Sequence, residues 1–292
     1  MAPLTSNLRG AVLGLGGFGL YSLYDVTTKY LGHDYSPAQI LFFAGLFAMP
    51  MVLAKVFRDP ARGGLMPVLP RWTMLRVVVA LFNGVLGAYA FTVLPLAESY
   101  AIFFLMPLMI SLVAVPMLGE PLDLRRGLAI VAGLAGVIIV LRPGEFPILP
   151  GHLAAFVSAA LGAVNYIILR KTGGIERAGV LMFWPMLVQL VVVALALPFV
   201  WQPMPVWHVG LTALMALELF AGGMLVIAAY RNAPVIVVAP MQYSQIIWAA
   251  LLGAILFSDA VDSKTVVGIM VIVASGLYLL SRTGAETHEA AV

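Results

Sequence analysis

The sequence predicts an all-α membrane protein with ten transmembrane helices, arranged as two inverted five-helix repeats. Hydrophobic residues make up 62% of the 292 residues and charged residues only 10%, whereas a soluble domain carries roughly 25% charged residues. The mean hydropathy is +1.04, so most side chains must face lipid or each other. A third observation, the similarity of the two halves of the chain, predicts the repeat.

The second half of the chain is similar in sequence to the first. We divide the chain into a first repeat, residues 1–145, a second repeat, residues 146–284, and a polar cytoplasmic tail, residues 285–292. Ala90-Phe91 aligns with Ala229-Tyr230, and no gap is needed for more than thirty residues. Further matched pairs are Gly10 with Gly151, Tyr24 with Asn165, Lys29 with Arg170, Pro95 with Pro234, Glu120 with Asp259 and Asp123 with Asp262. Membrane proteins built from two such halves are most often transporters that hold substrate where the halves meet.

Apolar runs of membrane length set the predicted spans. Each spanning helix needs about 20 apolar residues, and breaks at proline, glycine and charged residues separate the runs. The first five predicted spans are 10–31, 37–56, 73–94, 96–118 and 124–142. The second five are 151–171, 178–199, 207–230, 234–257 and 264–281.

The basic residues predict the orientation, because cytoplasmic loops carry an excess of lysine and arginine. With a cytoplasmic N-terminus, 13 of the 16 Lys and Arg residues fall inside, and Lys29, Arg142 and Lys264 fall outside. We therefore expect a multi-pass protein of the cell inner membrane with both termini in the cytoplasm. Each half holds an odd number of spans, so the halves cross the membrane in opposite directions, as inverted repeats do.

Several kinds of site are excluded or not indicated by composition. The absence of cysteine excludes disulfides, thiolate catalysis and cysteine-ligated metal centres. The net charge of +3 comes from basic residues scattered in short loops, which does not indicate nucleic acid. His33, His152 and His208 fall near outer span ends without a second ligand at a metal-type spacing, so we predict no metal site and no cofactor.

Polar residues inside apolar runs mark candidate substrate contacts, because a polar group at membrane depth is costly without a partner or water. In the first span, Tyr21, Asp25 and Lys29 lie on one helical face, with Tyr24 and Thr28 beside them. This pattern predicts a water-accessible polar face that lines the outer half of a cavity and includes Tyr24 and Asp25. The alternative is an Asp25–Lys29 pair that serves only packing or membrane insertion.

Three further polar residues lie inside predicted spans. Asn83 and Asn165 either contact substrate or bond to a neighbouring helix, a contact worth about 1 kcal/mol in membranes. Glu218 stands between Leu217 and Leu219 in the eighth span. Three interpretations of Glu218 stay open: it binds an amine of the substrate, it carries a proton, or it is a neutral carboxylic acid that bonds to another helix.

The ninth span holds the densest polar cluster. Gln242, Gln245 and Trp248 share one helical face, and Tyr243 lies beside them. Amides and an aromatic ring suit a polar zwitterion with an apolar side chain, and hydrogen-bonded helix packing is the alternative. Taken with the other polar residues, the cluster predicts a cavity lined by spans one, three, four, six, eight and nine.

Acidic residues also stand at the ends of spans. Glu98 and Tyr100 begin the fourth span near the outer surface, as a candidate gate or outer mouth. Glu98 either attracts cations there or is a solvated carboxylate favoured by the helix dipole. Glu120 and Asp259 precede spans five and ten, and we expect them to cap these helices.

Two short motifs add a family resemblance. Leu118-Gly119-Glu120 and Phe257-Ser258-Asp259 close the fourth span of each half, and helices containing Gly127 and Gly268 follow. Together with the repeat and the span count, these motifs resemble the drug/metabolite transporter superfamily in its ten-helix EamA-type branch, over nearly the whole chain. Within that branch the chain is similar to YddG-type exporters, although Asp259 replaces the usual closing glutamate. The resemblance implies export of small organic metabolites, foremost amino acids including aromatic ones, and related drugs.

These observations predict a secondary active transporter that works by alternating access, and not an enzyme. No ATP-binding Walker motif is present, so a gradient would drive transport. An intramembrane enzyme, one alternative, would need a nucleophile–base pair or a metal triad, and no HExxH or GxSxG motif is present. The other alternative is a channel-like facilitator, which usually shows filter loops or side-chain rings. The predicted partners are a small-molecule substrate and the lipid bilayer, without nucleic acid, and a monomer suffices for this function.

Overall fold

The computed structural model describes residues 4–58, 65–118, 124–142, 147–172, 175–233, 235–259 and 262–289. These residues form helices and connecting turns, with no β-strand among them. The first half contains α1 (Leu4–Leu31), α2 (Pro37–Phe57), α3 (Pro70–Val93), α4 (Leu96–Phe103), α5 (Met106–Leu118) and α6 (Leu124–Leu141). The second half contains α7 (Pro150–Thr172), α8 (Ala178–Val200), α9 (Val206–Asn232), α10 (Val235–Val238), a 3₁₀ segment (Ala239–Tyr243), α11 (Ser244–Phe257) and α12 (Ser263–Glu289).

Each predicted span corresponds to a helical part of the described chain. Seven helical stretches are long and apolar enough to cross a membrane by length and composition. They lie in α2, α3, α4 with α5, α7, α8, α9, and the 3₁₀ segment with α11. Shorter apolar stretches, Gly127–Leu141 and Ser263–Tyr278, lie in α6 and α12, and the 28-residue α1 carries polar residues in its second half. The protein is therefore a multi-pass membrane protein.

Two spans predicted as continuous, 96–118 and 234–257, are interrupted, which corrects that prediction. Between α4 and α5 the chain makes a turn, because Pro107 lacks the N–H that would bond to the carbonyl of Phe103. In the second half, the 3₁₀ segment has Pro240 near its start and separates α10 from α11. Proline thus removes a helical hydrogen bond within each of the two spans.

The two interruptions fall at equivalent positions of the repeat. The alignment that matches Ala90 with Ala229 also matches Phe104, just after α4, with Tyr243 at the end of the 3₁₀ segment. The rings of Phe104 and Tyr243 pack with their centroids 5.1 Å apart. Helix contacts are paired in the same way: α1 packs on α9 as α7 packs on α3, while α2 packs on α8 and α6 on α12. The helix contacts of one half are thus matched by equivalent contacts of the other half.

Glycine permits the close contact between α1 and α9. A Cβ atom on Gly17 would lie 3.0 Å from the carbonyl oxygen of Gly222, and one on Gly222 would lie 2.9 Å from the ring of Tyr21. The two helices therefore approach more closely than a larger side chain would allow. This contact holds the polar face of α1 against the second half of the chain.

Contacts between loops and helix ends define two ends of the bundle. The Lys29 end contains the end of α1 and the beginnings of α2, α4, α7, α9 and α12. The Lys55 end contains the end of α2 and the beginnings of α3 and α8. By the distribution of basic residues, the Lys29 end is predicted to lie outside and the Lys55 end in the cytoplasm.

Some predictions concern residues outside the described ranges. Gly119, Glu120 and Asp123 lie there, so the expected cap by Glu120 stays a prediction. At the C-terminus, α12 continues to Glu289, which is within the segment 285–292 assigned to the tail. The last helix is therefore longer than the apolar run that predicted it.

Candidate functional site

A central cavity of about 380 Å³ lies between the two halves. All six spans predicted to line a cavity contribute residues to it, and α2 and α8 add Leu41 and Gln189. Its volume falls within the range of small-molecule sites, about 300–1,000 Å³. The polar residues that line it are Tyr24, Asp25, Thr28, Asn83, Tyr100, Ser158, Gln189, Gln242 and Gln245.

Asp25 is the acidic side chain of the central cavity. It is the only Asp, Glu, Lys, Arg or His among the described residues that line this space. The buried Tyr100 donates a hydrogen bond to Oδ2 of Asp25, and its hydroxyl lies 3.5 Å from Ser22 Oγ and from Gln245 Nε2. The alternative of an Asp25–Lys29 pair is not formed, because Lys29 bonds elsewhere. Oδ1 of Asp25 has no partner among the described residues and can accept a bond from a ligand.

Amide groups on α3 and α8 form a second polar surface of the cavity. The hydroxyl of Ser158 on α7 contacts two oxygens of Asn83, the backbone carbonyl at 2.9 Å and Oδ1 at 2.8 Å. The side chain of Gln189 lies over Gly84, where a Cβ atom would be 3.0 Å from Gln189 Oε1. Gln189 was not among the predicted site residues, although it is the lone amide in the apolar span 178–199.

Four predicted site residues do not line the central cavity. Tyr243 is buried toward α12, where a Cβ on Gly276 would overlap its hydroxyl. Trp248 is 38% exposed. Asn165 and Glu218 each have one buried oxygen, Oδ1 and Oε2, without a hydrogen-bond partner among the described residues. The structure thus brings Tyr24, Asp25, Asn83, Tyr100, Gln242 and Gln245 together and leaves these four outside.

The two residues predicted at the outer mouth have different positions. Glu98 lies in the first turn of α4, with Oε2 3.0 Å from Nε2 of His152, and links α4 to α7. Tyr100 lies in the cavity wall, bonded to Asp25, and not at the mouth. Among the residues that the structure describes, no group of three or more His, Cys, Asp or Glu side chains is placed to hold a metal ion.

An ion pair between the two halves closes the Lys29 end of the bundle. Lys29 Nζ lies 2.7 Å from Asp259 Oδ2 and 3.0 Å from the carbonyl oxygen of Leu94. The N–H of Leu96 also donates to Asp259 Oδ2, at 3.3 Å. The two charged side chains are only 13% and 16% exposed. This pair therefore joins α1, the α3–α4 connection and the end of α11.

The expected cap of the tenth span by Asp259 is wrong, because that carboxylate is engaged by Lys29. Asp262 caps α12 instead, accepting from the backbone N–H of Thr265 at 2.9 Å. Asp262 also pairs with the guanidinium of Arg142. The hydrogen bonds from Thr265, followed by the one from Arg142, hold the pKa of the Asp262 carboxyl well below its usual range.

Two further contacts between the halves lie at the Lys29 end. The side chain of Gln39 exchanges hydrogen bonds with the backbone of Gln202, at 2.7 and 2.9 Å. The hydroxyl of Tyr35 lies 2.6 Å from Nδ1 of His208. These contacts and the Lys29–Asp259 pair bind the two halves together on this side of the central cavity.

A second cavity of about 400 Å³, here called the vestibule, adjoins the central cavity. The two spaces share the lining residues Tyr24, Leu41, Gln189 and Leu219. The vestibule extends to the exposed Lys55 and to Arg76 at the Lys55 end, and its surface is mainly apolar, with Met182, Met186, Phe220 and Met224. The central cavity is thus approached from the Lys55 end and covered at the Lys29 end.

Comparison with known proteins relates this chain to membrane transporters. Residues 8–142 match the EamA-like transporter family. The S-adenosylmethionine uptake transporter of Rickettsia felis is 24% identical over 281 residues, which cover 94% of each chain. The transporter of the same name from Rickettsia bellii is 24% identical over 94% of this chain and 95% of its own. An uncharacterized transporter of Helicobacter pylori is 25% identical over 90% of each chain.

A solved crystal structure shares the fold. Its TM-score is 0.54, with 21% sequence identity over 93% of this chain and 95% of that chain. At this identity the likeness establishes the fold alone. The match to the EamA-like transporter family covers residues 8–142, which lie in the first half of the chain. The finer resemblance to YddG-type exporters stays a prediction.

Proposed function

We propose that this chain is an EamA-like transporter that carries small amine-bearing organic metabolites across the membrane by alternating access. One observation carries the proposal: a polar cavity between the two halves continues to the Lys55 end and is covered at the Lys29 end. Secondary transporters built from repeats bind substrate at such an interface near the middle of the membrane. Opening the Lys29 end would require the Lys29–Asp259 pair and its neighbouring contacts to separate.

The acidic side chain in the central cavity favours a substrate with a positive group. Asp25 is a carboxylate whose only described partner is the hydroxyl of Tyr100. A charge taken out of water needs a partner, and an ammonium donates the stronger, charge-assisted bonds to a carboxylate. Since no lysine or arginine is among the described residues that line this cavity, phosphorylated anions fit it poorly.

S-adenosylmethionine is the first candidate substrate. The Rickettsia relatives are transporters of this compound, which carries an ammonium, a carboxylate and a sulfonium and so has a net positive charge. Its amino-acid part suits the polar central cavity beside Asp25. Its adenosyl part suits the adjoining vestibule, whose methionine and phenylalanine side chains offer a flexible apolar surface. A secondary transporter can run in either direction, so the driving gradient decides between uptake and export.

Aromatic amino acids, which the YddG-type resemblance implies, are the second candidate. A specific observation favours them: aromatic rings line one part of the central cavity. The ring of Phe91 packs on Tyr100 with centroids 5.5 Å apart and on Phe103 with centroids 5.0 Å apart. Such a surface can stack on an aromatic side chain while Asp25 holds the ammonium.

We further propose that the halves form an inverted repeat with cytoplasmic termini in the cell inner membrane. The equivalent interruptions at Phe104 and Tyr243 and the paired helix contacts support this arrangement. A green fluorescent protein fused to the C-terminus should fluoresce, and alkaline phosphatase fused there should be inactive. The reverse pattern would overturn the orientation and the inverted repeat.

Transport by purified protein in proteoliposomes tests the proposed function. We expect saturable uptake of S-adenosylmethionine or L-phenylalanine and none of a sugar phosphate, with and without a pH gradient. Asp25→Asn should weaken apparent affinity about tenfold to a hundredfold, because a hydrogen bond to a charged group is worth roughly 1.5–3 kcal/mol. Asp34→Asn is the matched control, since the Asp34 side chain is 54% exposed in the turn after α1. Equal transport by both variants would refute the assigned site.

A further inference from the structure

We infer that Asn83, oriented by Ser158, binds the carboxylate of the substrate and restricts the transporter to compounds with an α-amino-acid head group. The inference rests on the proposed function, because it names the substrate class of the same central cavity. Asp25 would bind the ammonium and Asn83 the carboxylate. A metabolite with an amine but no carboxylate would bind to Asp25 and leave the amide of Asn83 without a partner.

The first step of the reasoning is the orientation of the Asn83 side chain. Ser158 is 2% exposed, and its hydroxyl lies 2.8 Å from Oδ1 and 2.9 Å from the backbone carbonyl oxygen of Asn83. A Cβ on Gly87, one helical turn along α3, would lie 3.0 Å from Ser158 Oγ. Glycine therefore gives the serine room to sit against α3. The contact turns Oδ1 of Asn83 toward α7 and leaves the amide nitrogen on the other side of the carboxamide.

The second step is the unused hydrogen-bonding capacity of that nitrogen. The amide NH₂ of asparagine carries two donors, and among the described residues neither has a partner. Asn83 lines the central cavity, where unsatisfied donors are costly unless water or a ligand meets them. The side-chain amide of Gln189, which lies over the neighbouring Gly84, adds a second group of donors without a partner in the described part of the chain.

The third step identifies the ligand group. Amide donors bind an anionic oxygen by charge-assisted hydrogen bonds, and the described lining contains no lysine or arginine to compete for it. Asp25, with its free Oδ1, is suited to the positive group instead. The cavity therefore offers an acceptor for an ammonium and donors for a carboxylate, which is the pairing of an α-amino acid. Ser158 acts through Asn83 and is a positioning residue.

Equilibrium binding to the purified full chain in detergent tests the inference. The probes are S-adenosylmethionine and decarboxylated S-adenosylmethionine, and L-phenylalanine and phenethylamine as a second pair. The wild type should prefer the carboxylated member of a pair by about tenfold to a hundredfold. Asn83→Asp, which replaces the donor by a carboxylate, should abolish this preference, while the decarboxylated probe binds at least as tightly as to the wild type because the new carboxylate attracts its ammonium.

Two serine variants separate positioning from packing. Ser158→Ala should reduce the preference about threefold to tenfold, because Asn83 loses its orienting contact. Ser275→Ala, a buried serine of α12 outside the central cavity, should leave the preference unchanged. An unchanged preference in Asn83→Asp, or equal weakening of both members of each pair, would overturn this inference alone. A wild type that binds none of the four probes would overturn the proposed function and the inference together.

Discussion

Replacing Lys29 by methionine removes one charge of the ion pair that closes the Lys29 end. At the observed 2.7 Å, the Coulomb attraction is roughly 6 kcal/mol for an effective dielectric constant of about 20. Desolvation of both charges offsets much of this attraction. Methionine, however, leaves Asp259 without its cation at only 16% exposure, and breaking a buried pair costs about 3–5 kcal/mol. Because this pair keeps some contact with water, we expect a loss of about 2–4 kcal/mol in the free energy of unfolding.

A double-mutant cycle in detergent measures this contribution directly. Lys29→Met, Asp259→Asn and the double variant are compared by denaturant unfolding, with Asp34→Asn as the control for removing an exposed carboxylate. Groups in contact couple by about 0.5–3 kcal/mol, so the double variant should lose less stability than the two single losses together. The control should stay within about 0.5 kcal/mol of the wild type. Strictly additive losses, or a loss below about 0.5 kcal/mol for Lys29→Met, would show that the pair does not hold this end together.

Four further substitutions test other parts of the structure. Gln245→Leu should weaken apparent affinity in transport assays about tenfold, since it removes an amide from the cavity; unchanged saturation would place binding elsewhere. Gly136→Ala should cost about 1–3 kcal/mol in denaturant unfolding, because the added Cβ would lie 2.8 Å from the Gly268 carbonyl oxygen. Because the pKa of Asp262 is lowered in the folded protein, its carboxylate stabilises the fold at pH values above the unfolded pKa of about 3.9. This contribution is lost as the pH falls through the folded pKa. Asp262→Asn should therefore lose less stability on acidification than the wild type. Ser258 has a φ of 58°, and Ser258→Gly should raise the free energy of unfolding by about 0.5–1 kcal/mol, because glycine adopts the left-handed region without the steric cost of a Cβ atom.

Helix positions could be predicted closely because apolar length and terminal residues determine them locally. The span 37–56 corresponds to α2, Pro37–Phe57, which begins after the cap residue Ser36. The interruption at Pro107 was missed because hydropathy is averaged over a span and does not respond to one lost hydrogen bond. Proline itself was the available signal in both interrupted spans.

Side-chain contacts between residues far apart in the sequence could not be predicted. Sequence spacing left an Asp25–Lys29 pair on one helical face open as an alternative, whereas Lys29 pairs with Asp259, 230 residues away. That choice depends on how α1 and α11 are placed relative to each other, which periodicity does not specify. Asp25 therefore accepts a hydrogen bond from Tyr100 and lines the central cavity.

The identity of the cavity residues was predicted in part, because polar residues in apolar runs are few. Gln242 and Gln245 line the cavity, but Trp248 does not. In an α-helix the positions i and i+6 are turned about 120° from each other, so Gln242 and Trp248 do not share one narrow helical face. Gln189 was overlooked because a single amide in an apolar span is also typical of helix packing.

Counterflow in proteoliposomes is the most direct measurement of a carrier site at Asp25. Vesicles preloaded with unlabelled S-adenosylmethionine, or L-phenylalanine if that is the substrate, are diluted into a trace of the labelled compound. A carrier with one alternately exposed site predicts transient accumulation of label above equilibrium for the wild type and Asp34→Asn, and its loss in Asp25→Asn at the same concentration. Linear, non-saturating flux without accumulation, or full counterflow in Asp25→Asn, would contradict an alternating-access site built around this carboxylate.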